Sequence, residues 1–122
     1  MEVVEGGAER EYLLAVAYLG QDMPTKALAL CPPRSQGKWQ LIKAQAYFQL
    51  QKWKKVLSTL RGGGLPGEDL ECNWLKGGSY YFLEQYKPAV KLLRIVSEQR
   101  QEEYASADLW LQNALTRLEG GK

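Results

Sequence analysis

Proton transfer, nucleophilic attack and metal binding each need particular side chains, and this sequence supplies few of them. It has no histidine, which removes the commonest general base and the commonest zinc ligand. A Ser-His-Asp or Cys-His mechanism cannot be built from these residues. The two cysteines, Cys31 and Cys72, form no CxxC pair and read as reduced, mostly buried thiols. Gly62-Gly63-Gly64-Leu65-Pro66-Gly67 has the glycines of a phosphate loop. It lacks the following lysine and hydroxyl residue, and no strand precedes it, so it reads as a flexible linker. Glu68-Asp69 and Glu102-Glu103 are paired acids at expected helix starts, where carboxylates suit the positive end of the helix dipole. No catalytic constellation emerges. The expectation is a protein without enzymatic activity, cofactor or metal.

Charge and aromatic residues are the remaining means of recognition. Lys52, Lys54, Lys55 and Arg61 form one basic cluster, and Lys87, Lys91 and Arg94 form a second. They read first as a solvated face and second as a surface for an acidic partner or an RNA backbone. Single-stranded nucleic acid calls for aromatic rings interleaved with such charges on one face, and here the aromatics fall mainly on other segments. The net charge is only +2, which also argues against nucleic acid. No apolar run approaches the ~20 residues that cross a bilayer. The acidic start MEVVEGGAERE has no basic-then-apolar signal pattern, so cytoplasm or nucleus is expected.

The elements that must position these residues follow from periodicity. Hydrophobic residues make up 45% of the 122 residues and charged residues 25%, the composition of one globular domain. Residues 1–7 read as frayed, and the domain as 8–122. Tyr12, Ala15, Tyr18 and Leu19 recur with a 3.6-residue period. Gly20-Gln21-Asp22 is a break. Pro24 then suits the first turn of a short helix, which Pro32-Pro33 stops. The same skeleton occurs three times. A small residue is followed by an aromatic at +3, a bulky residue at +9 and a small residue at +12. It reads Ala15, Tyr18, Pro24, Ala27, then Ala44, Tyr47, Trp53, Val56, then Gly77, Tyr80, Tyr86, Ala89. From Tyr18 to Tyr47 is 29 residues and from Tyr47 to Tyr80 is 33. Helix pairs repeating at this period indicate a solenoid. The helix pairs span about 8–33, 38–61 and 68–96, with a terminal helix over about 103–119. No segment alternates like a strand, so the fold class is all-α. The small residues predict close crossings within each pair, and the aromatics fill the wedges between pairs.

The stretches LLAVAYLGQDMPTKAL, KAQAYFQLQKWKKVL and KGGSYYFLEQYKPAV resemble the tetratricopeptide repeat (TPR) family. A fainter similarity is to the N-terminal repeats of the anaphase-promoting complex scaffold subunits. The departures are a first unit shorter than the usual ~34 residues, a glycine at Gly20 two places early, and Lys43 and Lys76 where leucine is usual. The resemblance implies a right-handed solenoid of three helix pairs plus a C-terminal helix, with the first helix of each pair lining a concave groove. That phase places Tyr12, Val16, Leu19, Leu41, Gln45, Phe48, Gln49, Trp74, Tyr81 and Phe82 on or near the groove. Some family members clamp a carboxylate with lysine, asparagine and arginine; Tyr12, Val16, Leu41 and Gln45 stand at those positions and cannot. The implied function is a protein–protein interaction module, an adaptor or scaffold, taking a peptide or partner segment in the groove. An RNA-binding helical-repeat domain is the alternative. Leu111, Leu115 and Leu118 are expected as an exposed terminal seam, open to a further repeat or to a second copy.

Overall fold

The computed structural model describes residues 2–32, 38–61 and 70–120. Among them are seven α-helices: α1 (Glu2–Gly20), α2 (Pro24–Leu30), α3 (Lys38–Gln49), α4 (Trp53–Arg61), α5 (Leu70–Phe82), α6 (Tyr86–Gln99) and α7 (Ser106–Gly120). A single 3-10 turn, Glu102–Tyr104, precedes α7, and the described residues contain no strand. Two boundaries depart from the sequence reading. α1 begins at Glu2 rather than Ala8; a continuous helix carries Gly6 and Gly7 at about 1 kcal/mol each relative to alanine. The last helix starts at Ser106, because Arg100 turns into the left-handed region (φ 54°) and ends α6. The expected 62–67 linker and the acids Glu68-Asp69 lie outside the described residues.

The links inside the helix pairs share one geometry. Asp22, Gln51 and Glu84 have φ of 61°, 62° and 64°. The amides of Asp22, Gln51 and Glu84 donate to the carbonyls of Leu19, Phe48 and Tyr81 at 3.0–3.1 Å. The next amides, of Met23, Lys52 and Gln85, reach back to the carbonyls of Tyr18, Tyr47 and Tyr80 at 2.8–2.9 Å. These paired bonds form a Schellman motif, which satisfies carbonyls a helix end would otherwise leave orphaned. A residue other than glycine occupies the left-handed position each time, at a local cost of about 1–2 kcal/mol. Gly20, expected at the first break, remains helical.

Packing follows the chain order. Each helix packs on the next, and α1, α3, α5 and α7 also meet one another in succession. Where paired helices cross, Ala15, Ala27, Ala44, Val56 and Ala89 are fully buried, and Gly77 is buried opposite them. A Cβ on Gly77 would lie 2.8 Å from Leu93 Cδ2, so α5 and α6 approach as closely as they do only with glycine there. Leu75, Leu93, Val56 and Val96 are the largest apolar side chains fully removed from water, each stabilising by about 1.5–3 kcal/mol.

The leucines expected as a terminal seam are partly covered on the last helix. Leu111, Leu115 and Leu118 are half-buried, and Leu111 packs against the core formed by Ala89, Leu93, Val96 and Ala107. The exposed side of α7 carries Asp108, Gln112, Asn113, Thr116 and Arg117, with Leu109 as its apolar exception. An exposed apolar face belongs to α1, through Leu13 (58% exposed), Leu14 and Val16.

Candidate functional site

Helices α1, α3 and α5 leave a cleft of about 270 Å³ between them, lined by Leu19, Gly20, Gln45, Phe48, Gln49, Glu71, Trp74 and Leu75. The spacing explains how they meet. Gln45, Phe48 and Gln49 are three and four residues apart on α3, and Glu71, Trp74 and Leu75 repeat that spacing on α5, so each trio shares one helix face. Phe48 and Trp74 form one wall, their ring centroids 4.9 Å apart and tilted by 36°.

Beyond the cleft the rings continue as one cluster. Phe48 meets Trp53 edge-on at 4.9 Å. Trp53 stacks on Phe82 at 4.5 Å. Trp110 of α7 lies 5.3 Å from both Trp74 and Phe82 and 6.0 Å from Tyr81. Such pairs add about 0.5–1.5 kcal/mol each beyond the area they bury. Gly78 makes the arrangement possible: a Cβ there would stand 2.7 Å from Trp110 Cζ3 and 3.1 Å from two Phe48 ring atoms.

The polar groups are held by one another. Gln45 Nε2 donates to Glu71 Oε2 at 2.6 Å, and the Tyr104 hydroxyl donates to Glu71 Oε1 at 2.6 Å. Gln49 Nε2 donates to the Leu19 carbonyl at 2.9 Å, which ties α3 to the end of α1. The Trp74 indole N–H donates to Ser106 Oγ at 3.1 Å, fixing the ring against α7.

The structure thus brings Gln45, Phe48, Gln49 and Trp74 to one cleft, together with Leu19. Tyr81 and Phe82 join the ring cluster outside it; the Tyr81 hydroxyl accepts from Asn113 Nδ2 at 3.0 Å, and Phe82 is 41% exposed. The other three residues stand apart. Tyr12 packs edge-on against Trp39 at 5.5 Å, under the Lys38 ammonium at 4.2 Å. Leu41 packs against the buried group around Ala44, Val56 and Leu75. Val16 lies on the exposed side of α1. The sequence reading missed Glu71, Gly78 and the depth of Trp110's involvement. Helix phase alone could have found Gly78, which stands four residues after Trp74.

Two other groups bear on chemistry. Burial pushes the Cys31 thiol up from its usual pKa, with Lys43 pulling the other way; the group is held protonated at neutral pH and is a poor nucleophile. A larger hollow of about 600 Å³ lies where α6 meets α7, lined by Arg100, Glu102 and Asp108 among others. Its charges are of both signs, and it does not present the paired ring faces of the α1–α3–α5 cleft. Among the described residues no group of three histidine, cysteine or acidic side chains could hold a metal, and no helix is long and apolar enough to cross a membrane. The chain matches no protein-family model, no curated protein and no solved structure.

Proposed function

We propose that the chain is a protein-interaction module, an adaptor or scaffold piece of TPR type, that holds a segment of a partner protein in the groove formed by α1, α3, α5 and α7. Three features support the solenoid reading. The turn at Asp22, Gln51 and Glu84 recurs at the spacings of Tyr18, Tyr47 and Tyr80. The small-residue crossings are fully buried. Alternate helices pack side by side in succession. The observation that carries the functional reading is the α1–α3–α5 cleft, where two half-buried rings, Phe48 and Trp74, stand beside open space. Aromatic walls bury a large area at low entropy cost, which suits capture of a peptide side chain. Cytoplasm or nucleus is the compartment this role implies.

A plug at the rim tests it better than truncation of the rings, because Trp74 packs against two core groups. Gly20 lines the cleft, and a Cβ there meets nothing within 4 Å. Gly20→Trp should therefore leave the helical circular dichroism intact and abolish partner capture from cell extract, read by mass spectrometry. Reversing Lys54 and Lys55 to glutamate should leave capture unchanged. The opposite pattern would move function to the basic side. A basic face is the observation behind the RNA-binding alternative: Lys54, Lys55, Arg61, Lys87, Lys91 and Arg94 are all exposed on α4 and α6. RNA affinity that falls steeply with salt would support that alternative.

A further inference from the structure

The polar lining of the α1–α3–α5 cleft has a single sense. Among the described residues that line it, Glu71 alone carries a formal charge. Both glutamines have turned their amide nitrogens toward protein acceptors, Gln45 toward the Glu71 carboxylate and Gln49 toward the Leu19 carbonyl. A carboxylate and a carbonyl can only accept, so these bonds fix which end of each amide is nitrogen. They leave the amide oxygens as the branch not used. The faces of Phe48 and Trp74 complete the wall, and aromatic faces attract cations. Carboxylate, amide oxygens and ring faces all favour a positive hydrogen-bond donor.

We propose that the cleft takes a basic side chain, arginine or lysine, from the partner segment, its cationic head near Glu71 and its stem against Phe48 and Trp74. This rests on the groove reading above and names the anchor that reading leaves open. A random linear peptide library panned against the protein tests it. Peptides whose binding Gly20→Trp blocks should share a basic residue at a fixed position. Replacing that residue by citrulline or norleucine should weaken binding to the unaltered protein about ten- to hundredfold, the scale of one hydrogen bond to a charged group. The same replacement should change binding to Glu71→Gln protein little. The peptide-side substitution leaves the protein untouched, so its outcome does not depend on how Glu71→Gln folds. Plug-sensitive peptides that need no basic residue would overturn the basic anchor and leave the groove standing. Recovery of no plug-sensitive peptide would sink the groove and the anchor together.

Discussion

Gly77 and Gly78 are consecutive residues of α5, and the replacement of each by alanine separates packing from helix propensity. In a helix interior alanine is favoured over glycine by about 1 kcal/mol, and both positions collect that gain equally. The surroundings differ. A Cβ on Gly77 would stand 2.8 Å from Leu93 Cδ2, 3.0 Å from Leu93 Cγ and 3.3 Å from Leu92 Cβ. Leu93 is 0% exposed and cannot swing into water, and Leu92 Cβ moves only with its backbone. Relief requires α6 to retreat, and overpacking of this kind costs about 1–3 kcal/mol. The expected net result for Gly77→Ala is a loss of about 1 kcal/mol, which at a urea m-value of about 1–3 kcal/mol/M lowers the midpoint by roughly 0.3–1 M. On Gly78 the new methyl would meet the rings of Trp110 and Phe48, which are half-buried and can tilt outward. Gly78→Ala should therefore hold its midpoint while its near-ultraviolet circular dichroism changes as the rings move. The assay is urea unfolding of both variants beside the parent protein. A Gly77→Ala midpoint above that of the parent, or above that of Gly78→Ala, would refute the close approach of α5 and α6.

Three further substitutions test other parts of the fold. Ala44 is fully buried in the middle of the chain, so Ala44→Leu should lower the unfolding free energy by about 1–3 kcal/mol; an unchanged midpoint would contradict the tight crossing of α3 and α4. Ser79 Oγ is buried without a hydrogen-bond partner among the described residues, so Ser79→Ala should raise stability by about 1 kcal/mol, since an unsatisfied buried hydroxyl carries a desolvation penalty. Gln51 holds a φ of 62°, and Gln51→Gly should raise thermal stability by up to about 1 kcal/mol because glycine takes that region without steric cost. Lower thermal stability of Gln51→Gly would show that the side chain contributes more than its backbone strain costs.

The sequence made the helices legible because their determinants are local. Period, proline positions and small residues at fixed offsets placed every described α-helix to within a few residues, apart from the start of α1. The turn residue was harder to read. Gly20 advertises a break, yet Asp22 takes the left-handed conformation, because the Schellman bonds of Asp22 and Met23 set where α1 stops. For the cleft, Gln45, Phe48, Gln49 and Trp74 were legible from helix phase. Glu71 was not, since a glutamate near a helix start looks like a solvated end until Gln45 and Tyr104 are seen to hold it.

A molecule in which each helix packs on its immediate chain neighbours has a kinetic consequence. The entropy of closing long loops is avoided, and all-helical chains with such local contacts fold in roughly microseconds to milliseconds. Among the described residues the substantial helix contacts reach no further than two helices along the chain, so opening can begin at an end and travel inward. α1 is held by α2 and α3 alone among its close neighbours, and its amides should exchange with solvent before those of α5, which α4, α6, α3 and α7 enclose. The cleft spans that gradient. One side belongs to the readily opened end and the other to a helix enclosed by four neighbours, so a ligand seated between them would slow the fraying of α1 while leaving α5 nearly as it was.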